Sequence, residues 1–210
     1  KGQIIYYVAL TCLFVQNYYF GYMTAIFLII WTLVQLSRLK GQKLKRFVNF
    51  TLVSILSALS SLFMLLPTYL DLKTHGETFT NIVNLKTEDS WYLDFFAKNL
   101  VGSFDTTKFG SIPMISVGLV PLILALLFFT LKSIKPIVKL SYSLFFTLII
   151  SSFYLQPLNL FWQGMHAPNM FLYRYAWVLS IGIIYLAAET VVRLDQINLK
   201  HFTLVISFLF

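Results

Sequence analysis

The side chains best placed to do chemistry lie in one stretch, LFWQGMHAPNMFLYRYAW (residues 160–177), where His166 and Arg174 stand among aromatics with no acidic residue between them. Arg174 sits at the edge of an apolar run. Its planar, permanently charged guanidinium can hold a phosphate by two parallel hydrogen bonds. It can equally lay its stem along apolar surface and carry its charge up to lipid headgroups. Ionisable groups at membrane depth usually face a bundle interior and carry a functional hypothesis. The surrounding Phe161, Trp162, Phe171, Tyr173, Tyr175 and Trp177 match the ordinary belt of amphipathic rings at a lipid–water boundary. Elsewhere the chain has no paired-cysteine motif, no His-x-x-x-His pair, no Walker loop and no Gly-x-Ser-x-Gly elbow, so no motif specifies structural zinc, a nucleotide or a serine nucleophile.

The elements that position these residues follow from composition. Of 210 residues, 58% are hydrophobic and 11% charged, against roughly a quarter charged in soluble domains; mean hydropathy is +0.77. A membrane span needs about 20 mostly apolar residues. Such runs cover 18–36, 47–66, 113–131, 140–155 and 173–192, the last interrupted only by Arg174 and Glu189. A shorter run over 4–16 is a truncated or tilted span, and 201–210 begins another. The chain starts at Lys1 without methionine and stops inside an apolar run, so it reads as a piece of a longer multi-pass protein. With no repeat, low-complexity tract or Gly/Pro linker, it is expected to form one all-α domain over 1–210, a polytopic transmembrane helix bundle. The first run has no cleavage pattern and is a span rather than a signal peptide.

Lysine and arginine in short loops mark the cytoplasmic side. If Arg38–Arg46 is cytoplasmic, alternation puts eleven of the sixteen basic residues inside: Lys1, Arg38, Lys40, Lys43, Lys45, Arg46, Lys132, Lys135, Lys139, Arg193 and Lys200. Lys73, Lys86, Lys98, Lys108 and Arg174 are then outside. Basic clusters beside spans attract anionic lipid at about 1 kcal/mol per charge, which accounts for the net charge of +8 without nucleic acid. No soluble basic face with stacking aromatics is present for nucleic acid to bind.

Two outer loops result, 67–112 and 156–173. The first exceeds the length of a bare connection. Within it, Trp91, Tyr92, Phe95, Phe96 and Leu100 recur at helical spacing. That pattern predicts an amphipathic helix lying in the interface or packed on the tops of the spans.

Four blocks, NYYFGYM (17–23), LLPTYLDL (65–72), GSFD (102–105) and PLNLFWQGMHAPNMFLYRYAWVLS (157–180), resemble the bacterial YfhO family, in order and across most of the chain. The Gly-x-His-x-Pro stretch followed by Tyr-Arg-Tyr is the most specific part. The resemblance implies a GT-C-like, multi-span glycosyltransferase of the plasma membrane. Such an enzyme takes a sugar from a polyprenyl-phosphate carrier on the extracytoplasmic face and passes it to a cell-envelope polymer, such as the lipoteichoic or wall teichoic acid of Gram-positive bacteria.

A carrier of that kind presents an apolar tail, a phosphate and a sugar at one depth, the lipid–water boundary. Under the resemblance, Arg174 would stabilise the departing phosphate as its charge develops. His166 would hydrogen-bond phosphate or sugar, or remain a surface histidine. Tyr173, Trp162, Gln163 and Asn159 would line the same site. Asn17 and Tyr18, with Tyr19, would offer polar tips to the sugar, although anchoring is the simpler reading of the tyrosines. Inverting sugar transfer needs a carboxylate base opposite the leaving group. Enzymes of this class carry it in the first outer loop, and this chain is expected to begin after that loop. Asp105 and Asp71 are the outer carboxylates left as candidates, each also suited to capping a helix or standing in water. No cofactor is evident; lipid-linked sugar transfer sometimes uses Mg²⁺ or Mn²⁺, and no motif specifies one. The competing function is a transporter or flippase for a lipid-linked saccharide. Broken helices and midplane charges would mark it, and the sequence places no Asp, Glu, Lys or Arg mid-span.

Overall fold

The computed structural model of the protein describes residues 1–74, 82, 84–87, 99, 113–166 and 172–209. Their regular elements are helices: α1 (Gly2–Gln16), α2 (Tyr18–Arg38), α3 (Lys43–Ser60), α4 (Leu62–Thr74), α5 (Leu119–Phe128), α6 (Pro136–Tyr154), α7 (Gln156–Trp162), α8 (Ala176–Val191) and α9 (Leu199–Leu209), with a 3₁₀ turn at Leu194–Gln196. The all-α membrane fold expected from composition is therefore observed. The amphipathic helix expected over 88–100 lies outside the described residues, Asn99 excepted. Contacts divide the chain into two compact units, Lys1–Val83 with Leu160–Ala167, and Asn84–Asn159 with Pro168–Phe210.

In the first unit, one residue ends α1 and starts α2. Asn17 is extended (φ −153°, ψ 93°), and its N–H donates to Leu13 O at 3.0 Å while its Oδ1 accepts from Phe20 N at 2.9 Å. Each helix end thereby satisfies one of its orphan backbone groups. α3 packs on α1 through serines. Ser57 and Ser61 are fully buried; Ser57 Oγ donates to Tyr7 O (3.3 Å) or Val53 O (3.0 Å), and Tyr6 and Tyr7 hydroxyls meet Ser54 and Ser60 Oγ at 2.7 and 2.6 Å. Leu52, Ile55, Leu56 and Leu59 of the same helix are exposed. Small polar residues facing a neighbouring helix and large apolar ones facing outward are the arrangement of a helix packed in lipid.

The expected span over 47–66 is not one straight helix. α3 and the first part of α4 meet at Ser61 with a bend of 67°. The Ser61 hydroxyl bonds back to Ser57 O at 2.7 Å, beside the backbone bond from Ser61 N to that same carbonyl at 3.2 Å. A serine competing for the carbonyl of the preceding turn is a recognised cause of helix bending. α4 then continues through Pro67 to Thr74, so Asp71 belongs to its last turns rather than to a loop.

In the second unit, α8 packs on α5 and α6, and α9 on α5. Tyr142, Phe145, Ile149 and Phe153 form the buried stripe of α6, while Ile137, Leu140, Leu144 and Leu148 are exposed. A helix apolar on both faces is a membrane-span pattern. At its end, residues 84–87 run beside 153–156: Thr87 N donates to Tyr154 O (3.0 Å), Gln156 N to Leu85 O (3.0 Å), and Thr87 Oγ1 to Phe153 O (2.8 Å). The two bonds from Thr87 satisfy carbonyls that the last turn of α6 leaves without intrahelical partners, and Leu85 O accepts the N–H of Gln156 at the start of α7.

By length and hydropathy, α2 and α6 can each cross a membrane, and α3 with α4 qualifies as a broken pair. Within the run 113–131 the helix occupies only Leu119–Phe128. Its ten residues rise about 15 Å, half the hydrocarbon thickness. The preceding Gly118 has φ 81° and ψ 163°, a non-helical conformation that an apolar-residue count does not register.

Candidate functional site

The Gly-x-His stretch owes its shape to the way α7 stops. Met165 N donates to Leu160 O (2.7 Å) and Gly164 N to Phe161 O (3.4 Å), which together form a Schellman motif closing the helix. The motif needs a left-handed residue after the cap, and Gly164 supplies it at φ 68°. Met165 follows at φ 65°, a conformation uncommon for a residue with a Cβ. The reversed backbone brings Gly164 O to His166 Nδ1 at 2.8 Å.

α2 braces this turn within the first unit. Tyr22 donates its hydroxyl hydrogen to Phe161 O at 2.8 Å, and Tyr19 to Gln163 Oε1 at 3.4 Å. Trp162 and Gln163 are buried and His166 is half-buried. The NYYFGYM block and the end of α7, separated by some 140 residues in sequence, thus form one hydrogen-bonded cluster. Asn17 caps α2 at the start of that block, and Tyr18 beside it is exposed.

In the second unit, Tyr173, Arg174 and Tyr175 form the turn leading into α8. Both tyrosines are buried and Arg174 is exposed. The Tyr173 ring meets Phe153 edge-on at 5.7 Å, the Tyr175 ring stacks on it at 5.3 Å, and Tyr175 OH donates to Ser152 O at 2.7 Å. Two alternate side chains fixed to the end of α6 leave the one between them pointing away from that core. Tyr173 is accordingly placed as a packing residue that sets the position of Arg174.

Of the residues singled out from sequence, Asn17, Tyr18, Asp71, Trp162, Gln163 and His166 fall in the first unit, and Asn159, Tyr173 and Arg174 in the second. Asn159 is half-buried within α7, and Asp71 is exposed. Asp105 lies outside the described residues. Sequence reading missed Tyr22, the left-handed pair Gly164–Met165, and the Phe153–Ser152 end of α6. Glycine four residues after Leu160 was the one signal available for the turn. Among the described residues, no three His, Cys, Asp or Glu side chains converge as metal ligands.

Compared with known protein families, residues 1–210 match the family described as "Bacterial membrane protein YfhO". No curated protein and no solved structure matches the chain.

Proposed function

The chain belongs to the YfhO family of bacterial membrane proteins, and on that premise we propose that it is the membrane core of a GT-C-type glycosyltransferase. Its donor is a polyprenyl-phosphate sugar, its acceptor a cell-envelope polymer such as lipoteichoic or wall teichoic acid, and its site lies on the extracytoplasmic face of the plasma membrane.

The observation that carries this reading is the Tyr-Arg-Tyr turn. An exposed guanidinium stands at the start of an apolar helix, between two buried, aromatic-packed tyrosines. A cation fixed at such a boundary suits a lipid phosphate, whose charge grows as the sugar leaves, while neighbouring apolar helices suit its tail. Asp105 is the first candidate for the base and Asp71 the second.

Replacing Arg174 with Ala in the full chain is expected to abolish sugar attachment in cells while membrane insertion stays normal. Lys at this position keeps the charge but loses the planar fork, so it retains part of the activity. Undiminished glycosylation by the Ala variant contradicts the phosphate role.

One observation favours a second reading, a flippase for a lipid-linked saccharide: the broken α3–α4 pair, since discontinuous helices frame transporter sites. Protein reconstituted in vesicles separates the two. A transferase leaves labelled carrier on its original leaflet and labels the polymer, whereas a flippase moves intact carrier across.

A further inference from the structure

We propose that Thr87 is a positioning residue for Arg174, holding the end of α6 on which the Tyr-Arg-Tyr turn is packed. An α-helix leaves its last carbonyls without intrahelical partners, and beside lipid each of them must find another donor. In α6 the ladder stops at the bond from Leu155 N to Ser151 O (2.9 Å), because Leu155 is extended at φ −105° and ψ 114°. Donors from outside the helix take the next three carbonyls. Tyr175 OH donates to Ser152 O at 2.7 Å, Thr87 Oγ1 to Phe153 O at 2.8 Å and Thr87 N to Tyr154 O at 3.0 Å.

Thr87 is buried, and its two bonds to adjacent carbonyls fix orientation as well as position. The segment that carries it is held in register, since Gln156 N donates to Leu85 O and Asn84 N to Gln156 Oε1, both at 3.0 Å. Phe153 connects Thr87 to the turn. Its carbonyl accepts the threonine hydroxyl, while its buried ring meets Tyr173 edge-on and stacks on Tyr175. Arg174 lies between those two tyrosines and is exposed, so the backbone they anchor sets where its guanidinium can reach. All of these residues belong to the second unit. A displacement of about 1 Å in a group that orients a substrate is costly even when its cause is remote. That the guanidinium holds a lipid phosphate rests on the reading proposed above; that Thr87 sets its place does not.

The test uses the full chain in detergent micelles with two probes, polyprenyl phosphate and the corresponding polyprenol. Thr87→Val keeps the shape and the backbone bond but removes the hydroxyl, whereas Thr87→Ser keeps the hydroxyl. The valine variant is expected to lose about threefold to tenfold of the preference for the phosphate, with affinity for the polyprenol unchanged. Serine should restore the preference. In an Arg174→Ala background the valine substitution should have no further effect, since residues that act through one another are not additive. An unaltered preference, equal weakening toward both probes, or the same loss without Arg174 overturns the proposal. Should valine prevent folding, Thr87→Ala is read against the same outcomes.

A second measurement is independent of any lipid. A nitroxide is attached at Arg174→Cys in a chain with Cys12→Ser, the only native cysteine removed. Its spectrum is expected to show greater motion when Thr87→Val is added, and to return to the original with Thr87→Ser. An unchanged spectrum overturns the positioning role. If the wild type prefers neither lipid, the phosphate reading fails, and the spectrum still decides whether Thr87 governs the turn.

Discussion

Gly164 has a backbone role that can be separated from any contact of a side chain. A Cβ built there meets nothing within 4 Å, yet φ is 68°, so Gly164→Ala adds only left-handed strain. The expected cost is about 1 kcal/mol, read as a lower unfolding temperature, with Asn, which tolerates this region, costing less. A loss as large as that of a core truncation would mean that the turn is held by packing instead. Gly, His and Arg were legible in the sequence as a spaced set. What was not legible is that His166 turns back on Gly164 O. That contact depends on Met165 adopting a left-handed conformation no sequence rule assigns to methionine. Nor does any local pattern announce that Tyr22 reaches Phe161, since the pair is 139 residues apart.

At the scale of elements, close approach sets the next prediction. A Cβ on Gly182 would lie 2.7 Å from a ring carbon of Phe145 and 3.2 Å from Phe146. Phe145 is itself buried, so the ring cannot swing clear. Gly182→Ala is expected to destabilise the α6–α8 pair by about 1–3 kcal/mol, as overpacking does, measurable as loss of monodisperse protein on heating in detergent. An unchanged or improved melting point would show that the helices have room to separate. The sequence located α2 and α6 within a few residues, because unbroken apolar runs bounded by polar ends determine both. It did not resolve the helix within 113–131 or the bend at Ser61. A hydropathy count sees Gly118 and Ser61 as acceptable members of a span, whereas backbone conformation and a hydroxyl bonding back to Ser57 decide where the helices begin and bend.

For the whole molecule, the proposed function depends on sidedness. Positive charge in short loops predicts Lys40 in the cytoplasm and Lys73 outside, and both are exposed. In a chain with Cys12→Ser, the only cysteine removed, Lys73→Cys is expected to react with a membrane-impermeant maleimide on intact cells. Lys40→Cys is expected to react only after permeabilisation; the opposite pattern inverts the topology and moves Arg174 to the cytoplasmic face. The claim on which the account chiefly rests is that Arg174 holds a lipid phosphate. The most direct measurement compares the affinity of the detergent-solubilised full chain for polyprenyl phosphate with that for the corresponding polyprenol, in wild type and Arg174→Ala. A charge-assisted bond contributes about 1.5–3 kcal/mol, so the wild type should prefer the phosphate by roughly tenfold to a hundredfold, and the Ala variant should lose that preference. Equal affinity of the wild type for both lipids, or a preference that survives in the Ala variant, contradicts the account.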